Sequence, residues 1–295
     1  MLFSIIIPTF HNHRYLRMTL ESILKNSKFK HQIIVHINGN DINTREYLDE
    51  NKIEYTSSKN NIGLCKGVNK ASTLAKTDYI VYSHDDMYFL PKWDDYLYRE
   101  IEKLDSNLFF LSGTQIGPLN NNVKKPNHIF FNAGQNLDNF NETLLLKHYE
   151  ELKFYDLQGS HWAPHVIHKK IWHKIGGFSE EFDPGFGSDP DLNMKLWKEG
   201  VRIFKGVNLA RTYHFGSITT RKNNKVLKNN ANSTFLLKWG ISINFFTKNY
   251  LNRGDAFLNP LNDFKLNLKN LLPFFICKIR YFYLRITNIY INGKK

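Results

Sequence analysis

The sequence has little cysteine, little proline, almost no acid near its end and no long uncharged apolar run. Cysteine occurs only at Cys65 and Cys277. That spacing fits neither a metal knuckle nor a disulfide framework, so the expected compartment is reducing, the cytoplasm. The 9 prolines among 295 residues, with 42% hydrophobic and 15% aromatic residues, describe a globular chain of one large domain or a domain with an appendage. No uncharged stretch approaches the roughly 20 residues needed to span a bilayer. The opening MLFSIIIPTF has no basic leader and no small-residue cleavage site, and reads as a first strand rather than a signal peptide.

The shortage of acid is local. From Arg221 to Lys295 fourteen lysines and arginines face two acids, Asp255 and Asp263. The first 220 residues carry 26 basic and 25 acidic residues, so the net charge of +13 belongs almost wholly to the tail. Such asymmetry joins a near-neutral domain (1–220) to a basic extension (221–295) suited to an anionic surface. Nucleic acid is not indicated, because the charge is confined to the tail and no recognition motif accompanies it.

Apolar runs at 2–7, 32–37, 53–56 and 79–83 alternate with helical spacing at 14–25, 44–50 and 63–75. This predicts βαβ units and a mostly parallel sheet flanked by helices, an α/β architecture. The stretch 112–128, rich in turn residues, predicts a surface loop. Short helices are expected over 169–178 and 189–200, a strand over 201–204, and a polar linker over 222–233.

Ligands of such sheets bind beyond the carboxyl ends of the strands. Thr9, Asn38 and the adjacent acids Asp85 and Asp86 all fall at such ends. Two neighbouring carboxylates at the mouth of a buried strand repel unless a cation joins them, and a hard divalent ion on one acid with a sugar hydroxyl on the other would suit a nucleotide site. A solvated turn that happens to hold two acids is the plainer alternative. Asp189 and Asp191 open a helix, where acids offset the dipole. The glycine-rich approach DPGFG also allows close contact with a ligand, and an aspartate there could take a proton from an incoming hydroxyl. His214, in TYHFGS, becomes a ligand candidate only if a metal is present.

In this order SIIIPTF, INGN, NNIGLCKGVN, DYIVYSHDDMYFLPKWD, KIGGFSEEF and GSDPDLNMKLWKEG resemble glycosyltransferase family 2 with the GT-A fold, over roughly residues 3–220. The resemblance implies an inverting enzyme that moves a hexosyl group from a nucleotide-sugar donor, UDP-linked by preference, to a hydroxyl of a glycan or lipid-linked acceptor. Pro8, Thr9 and Phe10 then line the nucleotide pocket, Asn38 meets the base, and Gly63 and Lys66 pass near the diphosphate. Asp85 lies toward the ribose, Asp86 and His214 hold Mn²⁺ or Mg²⁺, and Asp189 is the general base. The chain departs from the family pattern in three places: His84-Asp85-Asp86 replaces a full D-x-D, Asn38 replaces an aspartate, and Ser188 replaces a glutamate. In GSHWAPHVIHKKIW, His161 and Trp162 sit where an acceptor would approach, with Asp191 beside them. A buried position for Trp162 is the equal alternative. A metal-dependent nucleotidyltransferase on a similar sheet would want a glycine-rich basic loop after the first strand, which PTFHNHRYL does not supply.

The tail contains LLPFFICKIRYFYLRITNIYI, apolar and aromatic but interrupted by Lys278, Arg280 and Arg285. It suits a helix lying in the headgroup region of an anionic membrane, on the cytoplasmic side, or one packed on the domain.

Overall fold

The computed structural model describes residues 1–118, 126–159, 162–216 and 230–292, with the side chains of the last segment followed to 287. Ten strands form one sheet: β1 (Phe3–Thr9), β2 (Gln32–Asn38), β3 (Glu54–Ser58), β4 (Tyr79–Tyr82), β5 (Met87–Phe89), β6 (Phe109–Gly117), β7 (His128–Phe130), β8 (Leu157–Gln158), β9 (His165–His168) and β10 (Ile203–His214). The helices are α1 (His13–Asn26), α2 (Ile42–Glu50), α3 (Leu64–Ser72), α4 (Trp93–Ile101), α5 (Glu142–His148), α6 (Lys169–Lys174), α7 (Ser188–Lys198), α8 (Ala231–Trp239), α9 (Ile243–Asn249) and α10 (Leu268–Asn292).

The strand order is β3-β2-β1-β4-β9-β6-β10-β5, with β7 beside β6 and β8 beside β10. β1 lies parallel to both β2 and β4, and every residue of β1 and β2 is buried. That is why FSIIIPT and QIIVHIN read as unbroken apolar runs: helices cover both faces of the sheet. β9 is antiparallel to β4 and to β6, and the two reversals cancel. β6, and β10 parallel to it, therefore point the same way as β1 and β4. The carboxyl ends of β1, β2, β4 and β10 thus share one edge.

The expected elements recur from β1 to β4 with ends that differ by at most three residues. The loop expected over 112–128 does not: Ser112 to Gly117 complete the fully buried strand β6, and residues 119–125 lie outside the described segments. Glycine serves close backbone approach there, since a Cβ on Gly113 would stand 2.6 Å from the Ala210 carbonyl oxygen and one on Gly117 2.7 Å from that of His214. The strand expected at 201–204 runs on to His214 as β10. The linker expected over 222–233 falls outside the described residues as far as 229, and α8 begins at Ala231.

The segment after 230 shares the main core. Phe235, Phe246 and Leu251 are buried in the same apolar cluster as Ile5, Val81 and Phe204. Asp255 accepts from the Gln158 amide at 2.8 Å through its carbonyl, and Arg202 pairs with Asp263 at 2.6 Å. No helix among the described residues is long and apolar enough to cross a membrane.

Candidate active site and metal centre

Four strand ends and one helix start build the site. Thr9, the last residue of β1, donates its hydroxyl to an Asp85 carboxylate oxygen at 2.6 Å. Burial, and then the Asp86 charge, raise the affinity of Asp85 for its proton. Pro8 is buried inside β1, and the half-buried Phe10 rests its ring on His11 with 4.6 Å between centroids.

His214, the last residue of β10, faces Asp86 across the edge, with Nε2 to Oδ1 at 3.2 Å. The tautomer follows from the residues behind it. Gln115 Nε2 donates to the Ala163 carbonyl at 2.8 Å, so Gln115 Oε1 is the atom turned to His214 Nδ1, at 3.3 Å. A carbonyl oxygen accepts, so Nδ1 carries the hydrogen and Nε2 presents a lone pair. That buried Nε2 has no hydrogen-bond partner, and it points at a carboxylate. Two electron-rich atoms held this close are stable when a cation lies between them, and a ring nitrogen braced by an acceptor on its far side is how a histidine is set as a metal ligand.

His84 completes the group. Its ring lies 5.5 Å from that of His214, and ligand atoms of His84, Asp86 and His214 all fall within 4.8 Å of one another. Burial, followed by the neighbouring His214, lowers the His84 pKa to about 4, which leaves the imidazole neutral and able to donate a lone pair. Two imidazoles and a carboxylate fit a divalent first-row ion, and nitrogen donors favour Mn²⁺ over Mg²⁺. The residues present therefore fit the expected metal, with His84 as a further candidate ligand that the sequence reading did not assign. Its signal was the His84-x-Asp86 spacing in the turn between β4 and β5.

Asp189 stands in the first turn of α7, after Gly187 with φ of 83°. Burial pushes its carboxyl up to about 7. None of the described residues donates a hydrogen bond to it in the way Thr9 does to Asp85. Tyr82, buried at the end of β4, has its phenol pKa raised by burial and then by the charges of Asp189, Cys65, Asp85 and Asp86, so the acid helix and the acid pair both act on its hydroxyl.

The other expected residues are distributed unevenly. Asn38 is buried, its Oδ1 accepting from the Ile62 amide at 3.0 Å and its Nδ2 donating to the Gly63 carbonyl at 3.2 Å. Its amide is thus spent on the loop before α3. Gly63 caps α3 at φ 94°, and Lys66 lies at the surface with Nζ 3.9 Å from Glu180. Asp183 Oδ1, from the loop before α7, accepts from the Cys65 amide at 2.7 Å, which clamps the start of α3 to the acid helix. Asp191 is fully buried: Ser179 donates to one of its oxygens at 2.6 Å, Trp239 and Lys238 reach the other at 2.8 and 3.0 Å. The structure spends Asp191 on the junction between α7 and α8, and not on an acceptor. Trp162 is partly exposed, next to the Ala163 carbonyl that Gln115 holds. His161 lies outside the described residues.

Residues 4–175 match the model of the family described as Glycosyl transferase family 2. No curated protein sequence matches the chain. Among solved structures, S. aureus TarS 1-349 is 14% identical with a TM-score of 0.55, over 72% of this chain and 60% of that one. Its complex with UDP-GlcNAc is 16% identical with a TM-score of 0.52, over 74% and 61%. GalNAc-T7 with UDP, GalNAc and Mn²⁺ is 13% identical with a TM-score of 0.56, over 84% and 50%. The chain thus spans about 60% of the length of TarS 1-349, and at these identities the likeness is one of fold.

Proposed function

The chain belongs to glycosyltransferase family 2, and from that premise we propose that it transfers a hexosyl group, with inversion, from a UDP-sugar to a hydroxyl of a glycan or lipid-linked acceptor. The observation that carries this reading is Asp189: a carboxylate lifted to about 7 at the start of α7, acting with the paired acids on the Tyr82 hydroxyl. A base of that strength holds its proton loosely enough to lose it near neutral pH and strongly enough to accept one from a sugar hydroxyl. The loop of Pro8, Thr9 and Phe10 and the start of α3 at Gly63 and Lys66 would bind and orient the nucleotide diphosphate. Thr9, bonded to Asp85, would hold that acid toward the ribose.

Asp86, His214 and His84 would hold Mn²⁺ or Mg²⁺. Such an ion, when bound, stabilises charge on a leaving diphosphate as a Lewis acid. Asp189 would remove the acceptor proton as the hydroxyl attacks from the face opposite the leaving group, so a single displacement inverts the anomeric carbon. UDP as the base is supported by the UDP and UDP-GlcNAc complexes of the neighbours. The reading sets the reaction in the cytoplasm, in keeping with two free, buried cysteines.

The test pairs binding with transfer. UDP, GDP and dTDP are compared for thermal stabilisation with Mn²⁺, and UDP is expected to give the largest shift. Asp189→Asn should keep that shift and lose about 10²–10⁴-fold in transfer from a panel of UDP-sugars. Wild-type turnover in that variant rules the assignment out.

A further inference from the structure

Helix α10 is apolar on two opposite sides, and only one of them is used. Asn270 and Cys277 are buried, and Phe274, Tyr281 and Leu284 pack on the main core, a stripe repeating every three or four residues. The same repeat runs along the far side through Leu268, Leu272, Phe275, Ile279, Phe282 and Ile286, which are between 53% and 91% exposed. A row of large apolar side chains over the length of a helix is more than the scattered exposure of an ordinary surface.

The charges border that row. At about 100° per residue, Lys269 and Arg280 fall on one margin of the exposed stripe, and Lys278 and Arg285 on the other. Lys269, Arg280 and Arg285 are exposed, while Lys278 is half-buried with its ammonium 4.8 Å above the Phe274 ring. After Asp263 the sequence contains no acid at all. A second copy of the chain set stripe to stripe would bring these basic margins together with nothing of opposite sign to pair them. An anionic lipid surface meets both features at once: acyl chains accept the apolar row and headgroups pair with its margins. Because no described helix can cross a bilayer, the fit is to a helix lying in the surface.

We propose that α10 docks the protein on an anionic lipid surface through the face of Leu272, Phe275, Ile279 and Phe282, while its opposite face stays on the core. The docked helix packs on α8, whose Trp239 and Lys238 bind Asp191 of the helix that carries Asp189.

The test is co-sedimentation of the full chain with vesicles of phosphatidylcholine alone or mixed with phosphatidylglycerol. Pelleting is expected only with the mixed vesicles, and should fade in high salt. The triple variant Phe275→Ser, Ile279→Ser, Phe282→Ser should stay in the supernatant with an unchanged melting temperature, because the replaced side chains face solvent. Arg280→Gln and Arg285→Gln should each weaken binding about fivefold. Asp189→Asn should pellet like wild type, so docking and the transferase reading fail separately. Failure of the wild type to pellet with mixed vesicles in low salt overturns the proposal. So does self-association in sedimentation velocity that the triple variant abolishes, which would make a second copy the occupant.

Discussion

Gly63 and Asp183 are packed so closely that a Cβ on Gly63 would stand 2.2 Å from Cγ of Asp183. The same carboxylate accepts from the Cys65 amide, so the contact joins the segment before α3 to the loop before α7. Gly63 also has φ of 94° and ψ of 168°, a conformation that only glycine enters without strain. Gly63→Ala should therefore lower stability by more than the ~1–3 kcal/mol of backbone strain alone, and should weaken nucleotide binding because the two loops must separate. Urea denaturation and UDP titration measure both. An unchanged midpoint would show that the loops part freely and that the clamp is not structural.

The raised carboxyl of Asp189 predicts two opposite pH effects. As a base it must be ionised, so kcat/KM should rise through a limb near pH 7, not near the ordinary 3.8. As a buried group it holds its proton more tightly folded than unfolded. Its presence therefore costs nothing in acid, and stability is lost as the pH rises from about 4 through about 7. Asp189→Asn cannot ionise and should melt above wild type at about pH 8, with the difference shrinking toward pH 4. A variant that melts below wild type at the higher pH would mean that Asp189 is stabilised by a partner, and not strained by burial.

The lone pair of His214 Nε2 predicts metal binding without nucleotide. Mn²⁺ added to the protein alone should lose its free-ion electron paramagnetic resonance signal. His84→Ala and His214→Ala should each restore much of that signal. Gln115→Leu removes the acceptor that sets the His214 tautomer, and should weaken Mn²⁺ about 10–100-fold while touching no metal itself. If His84→Ala binds as tightly as wild type, the site uses only Asp86 and His214.

β1, β2 and β4 were legible in the sequence because each is an apolar run bounded by turn residues and almost wholly buried, while β3, half-buried at the sheet's edge, was legible from its place in the alternation of strands and helices. β6 was not. Ser112, Gly113, Thr114, Gln115 and Gly117 carry turn chemistry, yet they lie buried mid-sheet because neighbouring backbone and Pro164 leave room for nothing larger at the glycines. β10 was cut short at 204 for a related reason. Its register shifts between Val207 and Arg211. The polar Arg211 is nonetheless buried there, its guanidinium donating to carbonyl oxygens of Tyr149, Leu152 and Asn208. At the site, Asp85 and Asp86 stood out as paired acids at the end of an apolar segment and Asp189 as an acid opening a helix, while His214 counted only once a metal was supposed. His84 left only its spacing from Asp86, and Gln115 acts through the tautomer of a histidine 99 residues away, which leaves no mark in local pattern.

Asp191 supports the last prediction. Unlike Asp189, two residues before it, this carboxylate is fully buried and both its oxygens are engaged: Ser179 and Trp239 donate to it, and Lys238 forms an ion pair with it at 3.0 Å. Among the described residues it is the acid of α7 to which α8 is tied. Removing a buried acid leaves its partners' donors unsatisfied, and breaking such a pair costs about 3–5 kcal/mol. Lys238 remains partly exposed and also pairs with Glu181 at 2.7 Å, so water and that second acid recover part of the loss. Asp191→Ala should therefore fall toward the lower end of that range in chemical denaturation. Hydrogen exchange should quicken first in α8, ahead of the strands. Nucleotide binding by the folded fraction should survive, because Asp191 faces the junction and not the strand edge where Thr9 and Asp85 lie. A raised KM for the acceptor at unchanged stability would return Asp191 to the acceptor role expected from the sequence.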